Sequence, residues 1–219
     1  MNFFEINIDG KQFEKYYLIY IIKIIHSKKG NFYYIGQTGD RHYRTARPAF
    51  RRLAGHLSDI GQSTENQVYR QIAEKILELK IEKNKKFNDN VKNKVSDFLI
   101  DSKINMKVFP IIKFDPKIDQ EKHVENRHYV ENIEKIVIDK MINKNGLERI
   151  LNKRILKSKS LKDTEKKATA ELLQPVFRDE NDYVSVKPSN LGKAVIKNEQ
   201  GEIEGTISLA YFQKSDKAM

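Results

Sequence analysis

Hydrophobic positions cluster into short blocks separated by polar, turn-forming stretches, and their periods change along the chain. Tyr17 to Ile25 is almost continuously apolar, broken only by Lys23. A run of that length without polar alternation predicts a strand covered on both faces. Ser27-Lys28-Lys29-Gly30-Asn31 is a turn cluster. Phe32 to Gln37 then predicts a second strand, antiparallel to the first, which Gly36 and Gly39 end with freedom for positive φ. Phe3 to Ile8, before Asp9-Gly10, predicts a leading strand or hairpin arm.

From Arg44 the period lengthens. Phe50, Leu53, Leu57 and Ile60 recur at helical spacing, with Pro48 in the first turn. Gly61-Gln62-Ser63 breaks that run. Ser63 to Asn66 has the look of a cap, and Val68, Ile72, Ile76 and Leu79 mark a second amphipathic helix. The charged stretch Lys80 to Lys94 predicts a solvated segment, and Val95, Phe98 and Leu99 a further short helix. Met106 to Phe114 predicts a third strand, which Pro110 assigns to a sheet edge or a bulge. His123 to Asn143 predicts a long helix with Val124, Ile133, Val137 and Met141 on its apolar stripe, stopped by Asn145-Gly146. Leu147 to Ile155 predicts one more short helix.

The fold class expected is therefore mixed α/β (α+β): a small antiparallel three-stranded sheet flanked by helices. Composition changes after Lys157. Lys157 to Lys167 is a basic link, Asp182 to Val186 and Ala194 to Phe212 predict β structure, and Gln200-Gly201 predicts a hairpin turn. The expected division is a first domain over 1–156, with its core at about 16–152, and a C-terminal β-containing extension over 157–219.

Charge adds a partner. The 219 residues carry 41 Lys and Arg against 30 Asp and Glu, a net charge of +11. Such an excess suits a polyanion, because Lys and Arg displace counterions from phosphates. A Lys-rich surface that only aids solubility gives the same total. Position sharpens it: Arg41, Arg44, Arg47, Arg51 and Arg52 follow each other with no acid between Asp40 and Asp59. Arg41, Arg44, Arg47 and Arg51 are the expected nucleic-acid contacts. Cysteine is absent, which removes disulfides and thiolate metal sites. No basic stretch followed by an apolar run opens the chain, and the longest apolar run, about ten residues, is half of the ~20 that a membrane span needs. A cytoplasmic protein is expected.

Two half-motifs carry the chemistry. Leu18-Ile19-Tyr20 ends one hydrophobic run and Tyr34-Ile35-Gly36 another, with Thr38 just beyond. Arg52-Leu53-Ala54-Gly55-His56 places an arginine and a histidine one helical turn apart, and Glu134 precedes Val137 and Ile138 on the long helix. Together these resemble the GIY-YIG nuclease superfamily over roughly residues 16–152, with Leu18 standing where the family has glycine. The resemblance implies metal-dependent hydrolysis of a phosphodiester. It implies Tyr20 as general base with Tyr34 orienting water or phosphate (roles that can be exchanged), Arg52 as the cation on the phosphate, and His56 as proton acceptor. It also implies Glu134 as the ligand of one Mg²⁺ or Mn²⁺, and Asn152 closing the site. Arg44 is the rival of Arg52, Glu131 of Glu134, and Asn143 and Asn145 of Asn152.

These residue types suit the reaction. Negative charge builds on the phosphate as water attacks, and a guanidinium is a permanent forked cation for it. A hard divalent ion prefers oxygen ligands and keeps several waters, so one carboxylate plus the substrate is a sufficient cradle. A phenol near its free pKa of ~10 is a poor base unless neighbours favour its phenolate, which Arg52 and the metal would do. Tyr33 should face away from Tyr34 and serve packing. His42, His123 and His128 read as surface residues. DNA is the expected partner, with RNA left open, and a double-strand cut by one site per chain implies a homodimer. Restriction, mobile-element and repair roles all fit. The alternative is a catalytically inactive nucleic-acid-binding module of the same fold.

Overall fold

The computed structural model describes residues 8–60, 66–82, 86–153 and 155, and the strand segments 187–188, 193–197 and 203–208. The chain divides into two compact units, Met1–Lys166 and Lys167–Met219.

The first unit is a three-stranded antiparallel sheet between helices, in the order β2-β1-β3. β1 (Tyr16–His26) lies in the middle, which is why its sequence lacks polar alternation. β2 (Gly30–Gln37) pairs on one side, with Tyr20 opposite Gly36 and Ile22 opposite Tyr34. On the other side β3 (Ser102–Lys113) is an edge strand. Leu18 pairs with Pro110 and Tyr17 with Ile112, so a bulge falls at the proline. Both expectations for Pro110, edge and bulge, hold together: its missing N–H is not demanded by a further strand.

Alternation along β1 sends two hydrophobic sets to two layers. Leu18, Tyr20, Ile22 and Ile24 face Phe32, Tyr34 and the helices α1 (Ala49–Leu57), α2 (Gln67–Gln71) and α3 (Asp89–Ile100). Tyr17, Ile19, Ile21 and Ile35 are buried on the opposite face, where α4 (Gln120–Asn145) packs on β1 and β2 through Val130, Ile133, Val137 and Met141. α2 continues as a π-helical turn over Ile72–Ile76, so the stripe from Val68 persists while the hydrogen bonds lengthen by one residue. Helix starts follow their caps: the Asn88 side chain accepts from Val91 N at 2.9 Å, and the Asp119 side chain from Lys122 N at 2.7 Å. Gly146, at φ 86°, ends α4 as the sequence predicts.

Several expectations are corrected. Ile60 lies beyond α1 and is exposed, because the helix stops at Leu57. The stretch from Lys80 to Lys94 is not wholly solvated: Phe87 and Val91 enter the core. The freedom for positive φ that Gly36 and Gly39 offer is not used; among the described glycines only Gly30 and Gly146 have it. Of the expected helix over Leu147 to Ile155, the described residues show one 3-10 turn at Leu147–Arg149 and no further helix. Instead Ile150 bridges Tyr33 in parallel, and Leu151 N donates to Tyr33 O at 2.7 Å. The open edge of β2 offers unpaired backbone groups, and satisfying them outweighs the local helical pattern. Asn145 does not close the site either; its amide donates to Met141 O.

The second unit holds an antiparallel sheet, order β4-β5-β6: β4 (Lys187–Pro188), β5 (Lys193–Lys197) and β6 (Ile203–Ser208). The expected strands at Phe3–Ile8 (except Ile8) and Asp182–Val186, the break and cap at residues 61–65, the link at 157–167 and the turn at Gln200-Gly201 lie outside the described residues.

Leu151 is fully buried between the β2 edge and the α1–α3 layer. Leu151→Ala should keep the backbone bond to Tyr33 and still lower the unfolding free energy by about 2–5 kcal/mol, read by urea denaturation.

Candidate active site

Tyr20 and Tyr34 rise from the same sheet face, on adjacent strands, and their rings stack at 6.3 Å between centroids. α1 lies over this face and brings two side chains one turn apart to it. His56 Nε2 is 2.6 Å from the Tyr20 hydroxyl. Arg52 donates to the same hydroxyl from Nε at 3.2 Å and from Nη2 at 3.1 Å. The His56 ring also packs on Tyr34 at 4.5 Å.

These distances fix where the proton sits. A phenol oxygen has two lone pairs and one hydrogen. Two guanidinium N–H groups occupy the lone pairs, so the O–H must be donated to His56 Nε2. A neutral imidazole accepting at Nε2 carries its proton on Nδ1. That Nδ1 is buried and has no hydrogen-bond partner among the described residues. An orphaned buried donor costs on the order of 1–3 kcal/mol. Burial, assisted by Arg52, lowers His56 to a pKa of about 3, so the ring is neutral near pH 7.

Sequence analysis expected Arg52 to favour the Tyr20 phenolate. Burial wins over Arg52 here and raises the Tyr20 pKa, so the phenol keeps its proton. Tyr34 is pushed well above its ordinary value by burial and by the neighbouring Tyr20. Its hydroxyl donates to Gln67 Oε1 at 2.6 Å.

Gly36 makes room for this arrangement. A Cβ at that position would collide with the Tyr20 hydroxyl and ring, which two partners hold in place. Close approach, not positive φ, is therefore what the glycine supplies.

Glu134 is half-buried on α4 and makes no hydrogen bond or ion pair among the described residues. Burial raises its pKa to about 7, Glu131 adds to the rise, and Arg52, Arg41 and Lys135 oppose it. Its charge acts on Tyr20, Tyr34 and Arg52, which joins it electrostatically to the phenol cluster although α4 packs on the other sheet face. The rivals are otherwise engaged. Glu131 accepts from Arg127 at 2.7 Å and from Arg41 at 3.2 Å, while Arg44 is exposed on the loop before α1. A carboxyl with no direct hydrogen-bond or ion-pair partner among the described residues suits a divalent ion. No cluster of three or more His, Cys, Asp or Glu exists among the described residues, so Glu134 would hold such an ion with water and substrate oxygens.

Asn152 sits apart from the phenols. Its Oδ1 accepts from Ile35 N at 3.0 Å and its Nδ2 donates to Ile35 O at 2.8 Å, clamping the peptide beside Tyr34. Of the four arginines expected on nucleic acid, Arg41, Arg44 and Arg51 are exposed and Arg47 is partly buried. Arg41 pairs with Glu131, and Arg47 donates to Asp40 at 3.1 and 2.8 Å. His123 is not a surface residue: it is 2% exposed. Its Nδ1 lies 2.7 Å from the Tyr17 hydroxyl and its Nε2 3.0 Å from Asp40 O. Tyr33 alternates with Tyr34 along β2 and is partly buried, and its backbone bridges Ile150. Sequence reasoning missed Gln67, since a glutamine in a first helical turn carries no local signal. It also missed the His123–Tyr17 pair, whose members are 106 residues apart.

Scans against protein-family models, curated proteins and solved structures find no match for this chain.

Glu134 ionises near pH 4.5 when unfolded and near 7 when folded, so the folded chain binds the extra proton in between and stability falls as pH rises through that window. Glu134→Gln should therefore leave the melting temperature unchanged at pH 4.5 but stabilise the protein at pH 8 by on the order of 2 kcal/mol. Equal effects at both pH values, in calorimetric scans, would contradict the assigned environment. Gly36→Ala should cost about 1–3 kcal/mol by overpacking, and a Gly36→Ala protein as stable as wild type would remove the steric role given to that position.

Proposed function

We propose that this chain is a metal-dependent endonuclease that hydrolyses DNA phosphodiester bonds on a GIY-YIG-type fold. The observation that carries this reading is the cluster of Tyr20, Tyr34, Arg52 and His56 on one sheet face, electrostatically joined to Glu134. Four side chains from β1, β2 and α1 that touch one another, with Glu134 of α4 in their electrostatic field, are of the types that phosphodiester hydrolysis calls for.

Arg52 is the cation for the non-bridging oxygens. In the free protein it is engaged by the Tyr20 oxygen, leaving that oxygen no lone pair for water. A bound phosphate competes for the guanidinium. Once Arg52 turns toward it, Tyr20 can accept a proton from water while donating its own to His56 Nε2. With a pKa of about 3, His56 does not store that proton: taking it at Nε2 requires release of the Nδ1 hydrogen, to a water admitted with the substrate. Tyr34, its own hydrogen held by Gln67, keeps its oxygen lone pairs for orienting water. Glu134 would hold Mg²⁺ or Mn²⁺, which when bound supplies positive charge against the charge that builds on the phosphate.

One site per chain makes a homodimer the economical route to a double-strand cut. A cytoplasmic location fits a chain with no cysteine and, among the described residues, no helix long and apolar enough to cross a membrane. The C-terminal sheet would serve target choice in a restriction, mobile-element or repair setting. One observation favours a second reading, a catalytically silent nucleic-acid-binding module: Tyr20 is fully buried with every hydrogen-bonding position filled.

A plasmid-nicking assay with Mg²⁺ separates the two. Wild type should nick, and Arg52→Ala and Glu134→Ala should each lose about 100-fold or more in rate. Metal-dependent cutting retained in both variants refutes the site, and no cutting of DNA or RNA by wild type selects the binding module. Mg²⁺ should also raise the melting temperature of wild type at pH 8, where Glu134 is ionised, and lose that effect below pH 6. Glu134→Gln should show no Mg²⁺ shift at either pH.

A further inference from the structure

The loop between β2 and α1 is built more firmly than a surface connection requires, and what it holds out is an aromatic ring. Asp40 organises it. Its Oδ1 accepts from the backbone N of His42 at 2.8 Å and of Tyr43 at 3.1 Å, and its Oδ2 accepts from Arg47 at 2.8 Å. Burial alone would raise the Asp40 carboxyl, but these donors outweigh it and hold it below the usual range. Backbone bonds tighten the turn: Asp40 N donates to Thr45 O at 3.1 Å, Thr45 N to Tyr43 O at 2.8 Å, and Gly39 bridges Ala46. The buried His123 fastens the Asp40 carbonyl to α4.

At the tip, Tyr43 is 70% exposed, the second most exposed large hydrophobic among the described residues, and its neighbours His42 and Arg44 are exposed as well. Tyr43 has no ring contact among the described residues. Ordering a loop around an unpacked aromatic side chain gains the fold nothing. It lowers the entropy lost when that ring meets a flat partner. The partner's charge follows from the flanks, since the loop tip is cationic and no acid lies between Asp40 and Asp59.

We propose that Tyr43 is a stacking platform for an unstacked base of a nucleic-acid strand, with Arg44 on the adjoining phosphate. This rests on the nuclease reading and adds the form of substrate: a strand with an accessible base face, as in a single strand, gap or flap. An intact duplex hides its base faces and leaves Tyr43 nothing to stack on. The loop joins the strand of Tyr34 to the helix of Arg52 and His56, so a base held there belongs to the strand that enters the phenol cluster.

The chain contains no tryptophan, so Tyr43→Trp places a single indole at the tip. Its emission should fall when the full chain, kept in EDTA, is titrated with a single-stranded oligonucleotide, and fall far less with the blunt duplex of the same sequence. Tyr43→Ala should weaken single-strand binding about ten-fold while leaving the slope of log affinity against log salt unchanged. Arg44→Ala should reduce that slope by about 0.7. Indole emission that is unmoved by a strand the Tyr43→Trp chain binds overturns the proposal, as does equal quenching by duplex or wild-type affinity in Tyr43→Ala. Any of these alongside wild-type Mg²⁺-dependent nicking overturns the platform alone; no binding and no nicking overturns the nuclease reading with it.

Discussion

One oxygen atom sets the constraints on this site. The Tyr20 hydroxyl receives two bonds from Arg52 and gives one to His56, which fills its capacity. Everything near it is arranged around that saturation. The imidazole is forced into the tautomer with Nδ1 protonated and unpartnered. The guanidinium is held over the sheet, where desolvation would otherwise leave it costly. Residue 36 must be glycine because the hydroxyl occupies the space a Cβ would need. The cluster is preorganised and at the same time locked; under the proposed function a competing phosphate would unlock it.

The scaffold explains how so small a sheet keeps this geometry. β1 is hydrogen-bonded on both sides and covered on both faces, which fixes Tyr20. Tyr34 sits on the sheet edge, where it would be free to shift. The segment 150–152 supplies what a fourth strand would, and the Asn152 amide grips the Ile35 peptide directly beside Tyr34. Asn152 thus belongs to the backbone of the site, and its effect on chemistry passes through Tyr34. α4 contributes from the far face in two places: His123 ties down the Asp40 loop, and Glu134 brings a buried carboxyl with no direct partner into the field of the phenols.

Much of this was readable from residues alone. The buried central strand, the edge proline with its bulge and the Gly146 stop follow from periodicity and turn chemistry, because those signals are local. The pairing of Tyr20 with Arg52 and His56 was legible only through the resemblance of the half-motifs to a known family; strand and helix periods alone do not say that these side chains meet. What stayed hidden was set by tertiary competition. Leu147 to Ile155 has a helical pattern, but the unpaired edge of β2 claimed it. His123 looked like a surface histidine because nothing near it in sequence announces Tyr17. Glycine at 36 was legible as special, yet the reason, clearance and not φ, depends on a side chain sixteen positions earlier. Charge state was least legible of all: whether Arg52 or burial governs Tyr20 is decided by how dry the site is.

The most direct test of this account is the protonation of His56, read by long-range proton–nitrogen NMR of the imidazole in the free protein between pH 5 and 8. A neutral ring throughout, protonated on Nδ1 with Nε2 as hydrogen-bond acceptor, is the predicted result. A ring protonated on Nε2, or one that titrates in this range, would mean that Tyr20 does not donate to it, and the proton path from phenol to imidazole would be wrong.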